Sequence, residues 1–387
     1  MEAVRGRVVV PGELLEDAVV EWDGETLSYV GAPRPGDSEE REAGYILPGL
    51  IDLHSHGGGG SSFPDATSLD EVARASAEHR RQGTTVLCAT ASTMELERME
   101  FVLGLLADGC EQDLIECIEV EGPFLSRERC GAQNPIYLRA PDIEVADRLI
   151  DAARGHAWSM AVAPELEGAS ELVEHLAARG VVPAWAHTNA DSTTARRLNE
   201  VAVNALRRHG KAATDKPVAT HLFNAMRELS HRAPGPVIEY LSAGRRGCAV
   251  VELIADGVHL SNDLVRDVVE ILGTEPIVLI TDSMAAAGMP DGTYELGGLL
   301  VHVTNGVARL RGGNLAGGTS RLIDIVRNCV NGGVPLADAV AMASTTPASV
   351  LGRTDVGALQ AGRRADVVVA NEALYVERVY RRGQLVS

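Results

Sequence analysis

Side chains that bind divalent cations or move protons stand at the ends of strand-like runs in this 387-residue sequence. His54 and His56 close one run in DLHSH. Glu121 lies in EVEGPF, His187 in AWAHTN, His221 in ATHLFNAM and Asp282 in ITDSMAAAG. Two histidines spaced by one residue on a strand project to the same side of it, so both imidazoles can face one ion. Imidazole with carboxylate suits zinc, iron, manganese or cobalt better than calcium. An ion held with positions left for water makes that water acidic enough to supply hydroxide near neutral pH. Asp282, on the last run, is placed to take the proton and pass it to a leaving group. A lone histidine carries no such reading, and His79, His156, His175 and His209 sit in helical or loop stretches. The argument rests on the joint pattern at strand ends.

Such groups need strands whose ends meet. Apolar runs occur at 46–53, 84–89, 114–120, 158–163, 181–186, 217–220, 248–254 and 276–280, with helix-compatible stretches such as 68–81, 170–179 and 260–272 between them. Short strands alternating with helices read as a parallel sheet. Eight units predict a (β/α)8, TIM-like barrel, whose active site lies at the carboxyl ends of the strands. Residues 1–45 and 355–387 are β-rich, and the expectation is an α/β protein in which both termini build one small β-sandwich domain beside a barrel at 46–354. Within the barrel, TYELGGLLVHVTNGVARLRGG reads as hairpin-like structure with an Asn-Gly turn, followed by helical stretches at 320–329 and 336–344. The segment 189–215 is longer and more polar than its counterparts and reads as a surface insertion. The four glycines 57–60 let the backbone approach the pocket closely.

Composition removes whole classes. The formal charge is −19, with 54 acids against 35 bases and no basic stripe, which repels nucleic acid. Lys211 and Lys216 are the only lysines, and Gly210-Lys211 is followed by Ala212, so no GxxxxGK[ST] phosphate loop exists. Some dinuclear barrel hydrolases bridge their metals with a carbamylated lysine ahead of the two single histidines. Here both lysines follow His187, so the shared ligand falls to Glu121, against a dihydroorotase-like or hydantoinase-like site. Cys88, Cys110, Cys117, Cys130, Cys248 and Cys329 form no CxxC pair and suggest a reducing compartment. The N-terminus carries acids where a signal peptide needs an unbroken apolar stretch, and no apolar run reaches the ~18 residues of a membrane span. The expectation is a cytoplasmic protein with neither nucleic-acid nor membrane partners.

In order along the chain, PGLIDLHSHG, VEGPFLS, GAQNP, AHTNA, THLFNAM, IADGVH and ITDSMAAAG, with the tail GRRADVVV, resemble the amidohydrolase superfamily. Within it they are similar to the N-acetylglucosamine-6-phosphate deacetylases. The resemblance implies hydrolysis of the acetamide of an amino-sugar phosphate to glucosamine 6-phosphate and acetate, in amino-sugar catabolism and cell-wall recycling. A metal-activated water would attack, the metal would stabilise the oxyanion, and Asp282 would act as general acid and base. It implies one or two divalent ions, zinc foremost, with Glu121, His187 and His221 as core ligands and His54 and His56 for a second ion. Asn224 and Ala225 match residues that hold the sugar phosphate. Arg232 and His259 match further contacts, one or both contributed by the neighbouring subunit of a homodimer. Ala132 and Gln133 match the substrate loop, and Leu315, Ala316 and Gly317 a loop that closes over the sugar.

The chain departs from that pattern in places. Gln133 stands where relatives usually carry a histidine that helps polarise the acetyl carbonyl. Glutamine donates a hydrogen bond but carries no charge, so activation is expected to rest more on the metal. Cys130, in the same loop, reads either as a plain loop thiol or as a substrate contact. Glu119 replaces a histidine that many relatives have before the metal glutamate. His187 and His221 lie farther apart than the family expectation, in keeping with the insertion. Rival readings are the galactosamine epimer, another cyclic amidase, deaminase or nucleobase hydrolase of the superfamily, and a barrel that binds without catalysis. The last should lack the ligands that this chain keeps.

Overall fold

The computed structural model describes residues 2–42 and 44–386; Met1, Ala43 and Ser387, which belong to the expected terminal segments, lie outside the described residues. Eight parallel strands are hydrogen-bonded in chain order: Leu50–Ser55, Thr84–Ser92, Cys117–Phe124, Ala157–Val162, Val182–Trp185, Val218–Ala219, Val250–Leu253 and Ile277–Leu279. All are buried along their length, since one face meets helices and the other fills the barrel. Closure runs just beyond the last ladder, where Ser283 bridges Ser55 and the Asp282 N–H donates to the His54 carbonyl at 3.0 Å. Ile51, Val86, Trp158, Val182, Val250 and Ile280 fill the barrel interior. The polar residues of the centre take over at the carboxyl end.

The run expected at 46–53 is two strands, not one. Tyr45–Pro48 pairs with the terminal strands, and Leu50–Ser55 opens the barrel. Gly49 makes the handover, because a Cβ there would collide with Thr85 Oγ1 and Asp366 Cβ. The terminal strands form a seven-stranded sheet in the order Gln384–Leu385, Val376–Arg381, Val367–Ala370, Tyr45–Pro48, Glu2–Val10, Glu13–Asp23, Thr26–Gly31. Its far strands meet again: the Trp22 and Tyr380 rings lie 4.8 Å apart and Thr26 bridges Arg364. The sheet therefore folds over itself around Val8, Val20, Trp22, Leu27, Ile46 and Val367, giving the small β domain its core.

Two expectations are corrected. Residues 189–215 are no insertion: Ser192–His209 is the barrel's fifth helix, packed between helices Ala169–Arg179 and Val237–Arg245. Ala195, Leu198, Ala202, Val203 and Leu206 are buried at helical spacing, while Arg196, Arg197, Arg207 and Arg208 on the outer face make the segment look polar. Asp191 caps its start by accepting from Thr194 N at 2.7 Å, and Gly210 ends it at φ +58°. Nor are all the cysteines thiols. The parallel register sets Cys88 opposite Cys117, with Cα atoms 4.7 Å apart, and the two are disulfide-bonded. Cys110, Cys130, Cys248 and Cys329 are free.

After the eighth strand an antiparallel sheet (Gly292–Leu296, Leu299–Thr304, Val307–Leu310) turns at Asn305-Gly306, both at positive φ as a tight hairpin requires. Helices Leu322–Asn331, Leu336–Met342 and Thr345–Val350 then lead to the tail. Among the described residues, no helix is long and apolar enough to cross a membrane.

Candidate metal centre

Strands one, three, five, six and eight deliver their polar side chains to one point. Glu121 Oε1 lies 3.0 Å from Nε2 of both His187 and His221, and Oε2 lies 3.3 Å from His56 Nε2. The Nε2 atoms of His54 and His56 face each other at 3.2 Å. Asp282 Oδ1 stands 3.4 Å from the first and 3.2 Å from the second. Two buried groups, His54–His56–Glu121 and Glu121–His187–His221, each bring their donor atoms within 4.8 Å of one another, and Glu121 stands in both. Opposed ring nitrogens beside a carboxylate are a donor set that fits a divalent cation of the zinc, iron, manganese or cobalt type.

The backbone bends sharply to achieve this. His187 (φ +46°), His221 (φ +37°), Ala225 (φ +51°) and Asp282 (φ +45°) all adopt the left-handed region, which costs a non-glycine residue about 1–3 kcal/mol and persists only when the surroundings hold it. Thr188 Oγ1 and Asn189 N both donate to Glu165 at 2.6 Å, pinning the turn after His187. Thr281 Oγ1 donates to Asp52 Oδ2 at 2.6 Å, and Ser283 Oγ donates to the Gly57 carbonyl at 3.0 Å, pinning the turn around Asp282. The rings are held from behind as well. His187 Nδ1 meets the Arg129 carbonyl at 2.9 Å, His56 Nδ1 meets Ser92 Oγ at 3.1 Å and His54 Nδ1 meets Glu119 Oε2 at 2.8 Å. Such contacts fix ring orientation and tautomer.

Burial and charge oppose each other throughout the centre. Burial alone would push the Glu121 carboxyl up, but His187, His221 and His56 hold it well below the usual carboxylate range. Asp282 is likewise held low against burial by His54 and His56. Burial would lower His56, yet Asp282 and Glu121 raise it to about 9. His54 is raised well above the ordinary imidazole value by Glu119 and Asp282, again against burial. The centre therefore carries carboxylate charge that only a cation or protonated imidazoles can balance.

A cavity of about 360 Å³ opens above it. Ala132, Gln133, Asn224, Ala225, His259, Leu315 and Gly317 line its walls; Ala316 is buried behind them against Met284 and Val301. Gln133 donates to Glu121 Oε2 at 2.6 Å and accepts from Thr93 N at 2.8 Å, so its amide is committed to Glu121 and the Thr93 backbone. His259 Nδ1 pairs with Asp256 Oδ2 at 2.8 Å. Cys130 packs against Leu125, Leu138, Ala161 and Ala186 and is no part of the wall. Arg232 is exposed and does not line the cavity either.

Sequence reasoning missed three groups. Arg129 lines the cavity, its Nε donating to Asn189 Oδ1 at 3.2 Å; its place just before GAQNP was the available signal. Glu165 is an acid just beyond the fourth strand, the same kind of position that drew attention to Glu121. Asp52, fully buried two residues before His54, had no signal beyond its polarity inside an apolar run.

Residues 45–386 match the Amidohydrolase family. The chain is 35% identical over 363 residues to an N-acetylgalactosamine-6-phosphate deacetylase of Escherichia coli O157:H7, covering 92% of this chain and 91% of the relative. It is 31% identical to the N-acetylglucosamine-6-phosphate deacetylase of Bacillus subtilis, covering 98% and 95%. Among solved structures, a mutant N-acetyl-D-glucosamine-6-phosphate deacetylase from Mycobacterium smegmatis, in complex with N-acetyl-D-glucosamine-6-phosphate, superposes with a TM-score of 0.90 at 38% identity, covering 99% of this chain and 98% of that one.

Proposed function

The chain belongs to the amidohydrolase family, and from that premise we propose that it removes the acetyl group of N-acetyl-D-glucosamine 6-phosphate, releasing D-glucosamine 6-phosphate and acetate. The observation that carries the reading is Glu121 shared between two histidine pairs, with Asp282 against one of them, at the floor of a polar cavity. His54, His56, Glu121, His187 and His221 would hold one or two divalent ions, zinc foremost. When bound, such an ion supplies Lewis acidity toward the acetyl oxygen and acidifies water.

The chain's own groups do the rest. Asp282, held ionised, accepts the proton of the attacking water at a carboxylate oxygen and returns it to the nitrogen as the C–N bond breaks. Gln133 restrains Glu121 so that its carboxylate keeps its aim. Asn224, Ala225, His259 and Arg129 face the cavity as partners for the sugar and its phosphate; Leu315 and Gly317 cover the ring. Arg232, exposed and outside this cavity's lining, is read as serving the neighbouring subunit's site in a homodimer. A phosphorylated sugar is retained by membranes because its charge is costly to bury, in keeping with the cytoplasmic location proposed for the enzyme.

The similarity to a galactosamine-type deacetylase keeps one rival in view. Acetate release from the two epimeric sugar phosphates, measured side by side with and without added divalent ions, tests the reading. Metal-dependent release that is faster on the glucosamine epimer is expected. Faster release from the galactosamine epimer would transfer the assignment to it, and release from neither would end it.

A further inference from the structure

We propose that the two halves of this centre are unequal, and that the half built on His54 and His56 takes its ion first and holds it more tightly. The inference rests on the metal reading above but runs against the order that the family resemblance implies, in which Glu121, His187 and His221 form the core and the first-strand histidines are an optional extra.

The asymmetry lies in what stands behind and beside each imidazole. Glu121 is common to both halves and favours neither. The first-strand half has a second carboxylate, Asp282, within 3.4 Å of both ring nitrogens. It also has a third acid behind it: Glu119 Oε2 lies 2.8 Å from His54 Nδ1, both side chains being fully buried. Glu119 precedes Glu121 by two residues on one strand, so both carboxylates project to the same side of it, one behind the His54 ring and one before the His56 ring. A carboxylate charge this close behind an imidazole makes the other ring nitrogen a better donor to a metal. The other half has nothing equivalent. His187 Nδ1 meets only a neutral backbone carbonyl, and among the described residues His221 has an acid within ion-pair distance only at its front nitrogen, which faces Glu121. Negative charge and donor strength are thus concentrated on the first-strand side. Glu119 is a positioning residue, acting on the ion only through His54.

Protein stripped with a chelator is titrated with Zn2+ or Co2+ against a competing chromophoric chelator, so that stoichiometry and affinity are read without turnover. Two steps are expected. Glu119→Gln keeps the shape but removes the charge, and should weaken the tighter step by about 10- to 100-fold while sparing the other. His54→Asn should abolish the tighter step, and His221→Asn only the weaker. Should Glu119→Gln fail to fold, which thermal melts would reveal, the two histidine variants decide alone. Loss of the tighter step in His221→Asn, with His54→Asn retaining it, overturns the inference and leaves the hydrolase reading intact. Failure of the wild-type protein to bind either ion overturns both.

Discussion

At the mouth of the barrel Glu121 and Asp282 face imidazoles; at the strand starts, where the small β domain docks, Asp113, Asp355 and Asp366 face guanidiniums. Arg381 grips Asp113 at 2.5 and 2.6 Å, Arg353 grips Asp355 at 2.7 Å through two nitrogens, and Arg364 grips Asp366 at 2.5 and 2.9 Å. The same Arg381 donates to the carbonyl of Thr85, at the start of the second strand. A guanidinium keeps its charge at any ordinary pH and donates through two nitrogens in each of these pairs, so they are closed. An imidazole can give up its proton and offer a lone pair, so the mouth is open to a cation. Carboxylates are common to both regions; the partner decides whether they close an ion pair or stay open to a cation.

The largest effect should come from Asp282→Asn. Turnover should fall by about 10³-fold, within the span of lost proton transfer, while the purified variant still holds the ion of the Glu121–His187–His221 half. Equal loss of metal would mean that the mouth depends on Asp282 for binding rather than for catalysis. At the other end, Arg364→Met strands the buried Asp366 carboxylate. We expect about 3 kcal/mol of lost stability in chemical denaturation, with turnover of the folded fraction preserved. A matching loss of kcat would show that the two regions are coupled.

Arg129 sharpens the contrast, because it is an arginine at the mouth whose terminal nitrogens meet no carboxylate among the described residues. Arg129→Gln should raise KM about tenfold for the phosphorylated sugar and leave KM for unphosphorylated N-acetylglucosamine unchanged. An equal rise for both would remove it from phosphate recognition. The smallest effect concerns pH. Hydrogen bonds from Arg381 and Arg353 hold Asp113 and Asp355 down to about 2. Their folded values lie below the unfolded value of about 3.9, so their stabilisation is present above that pH and is lost as pH falls toward 2. Both side chains are 48% exposed, so each should contribute under about 1 kcal/mol, which denaturation at pH 6, 4 and 3 with and without 0.5 M salt can read. A loss that ignores salt would argue against ion pairing as its cause.

The barrel was legible because buried parallel strands are written as apolar runs, and the centre because its ligands follow those runs. What escaped was settled by three-dimensional register. Cys88 and Cys117 are 29 residues apart and meet only because neighbouring strands are aligned at that level. Helix Ser192–His209 hid its apolar stripe under arginines, and counting polar residues missed what their period would have shown. Glu165 works through a hydroxyl and a backbone donor, Thr188 and Asn189, that follow the next strand, a role with no spacing signature. Arg232, which the resemblance gives as a contact in its own or a neighbouring subunit's site, is exposed and lies outside this cavity's lining.

The bond that zips the barrel shut joins His54 to Asp282, the groups that the first and last strands bring to the proposed centre. Assembly of that centre and completion of the cylinder are consequently a single event. A molecule whose seam has parted can keep most of its helices and still be inert. Loss of turnover during gentle heating should therefore precede loss of helical signal, making the enzyme its own reporter of whether the ring is whole.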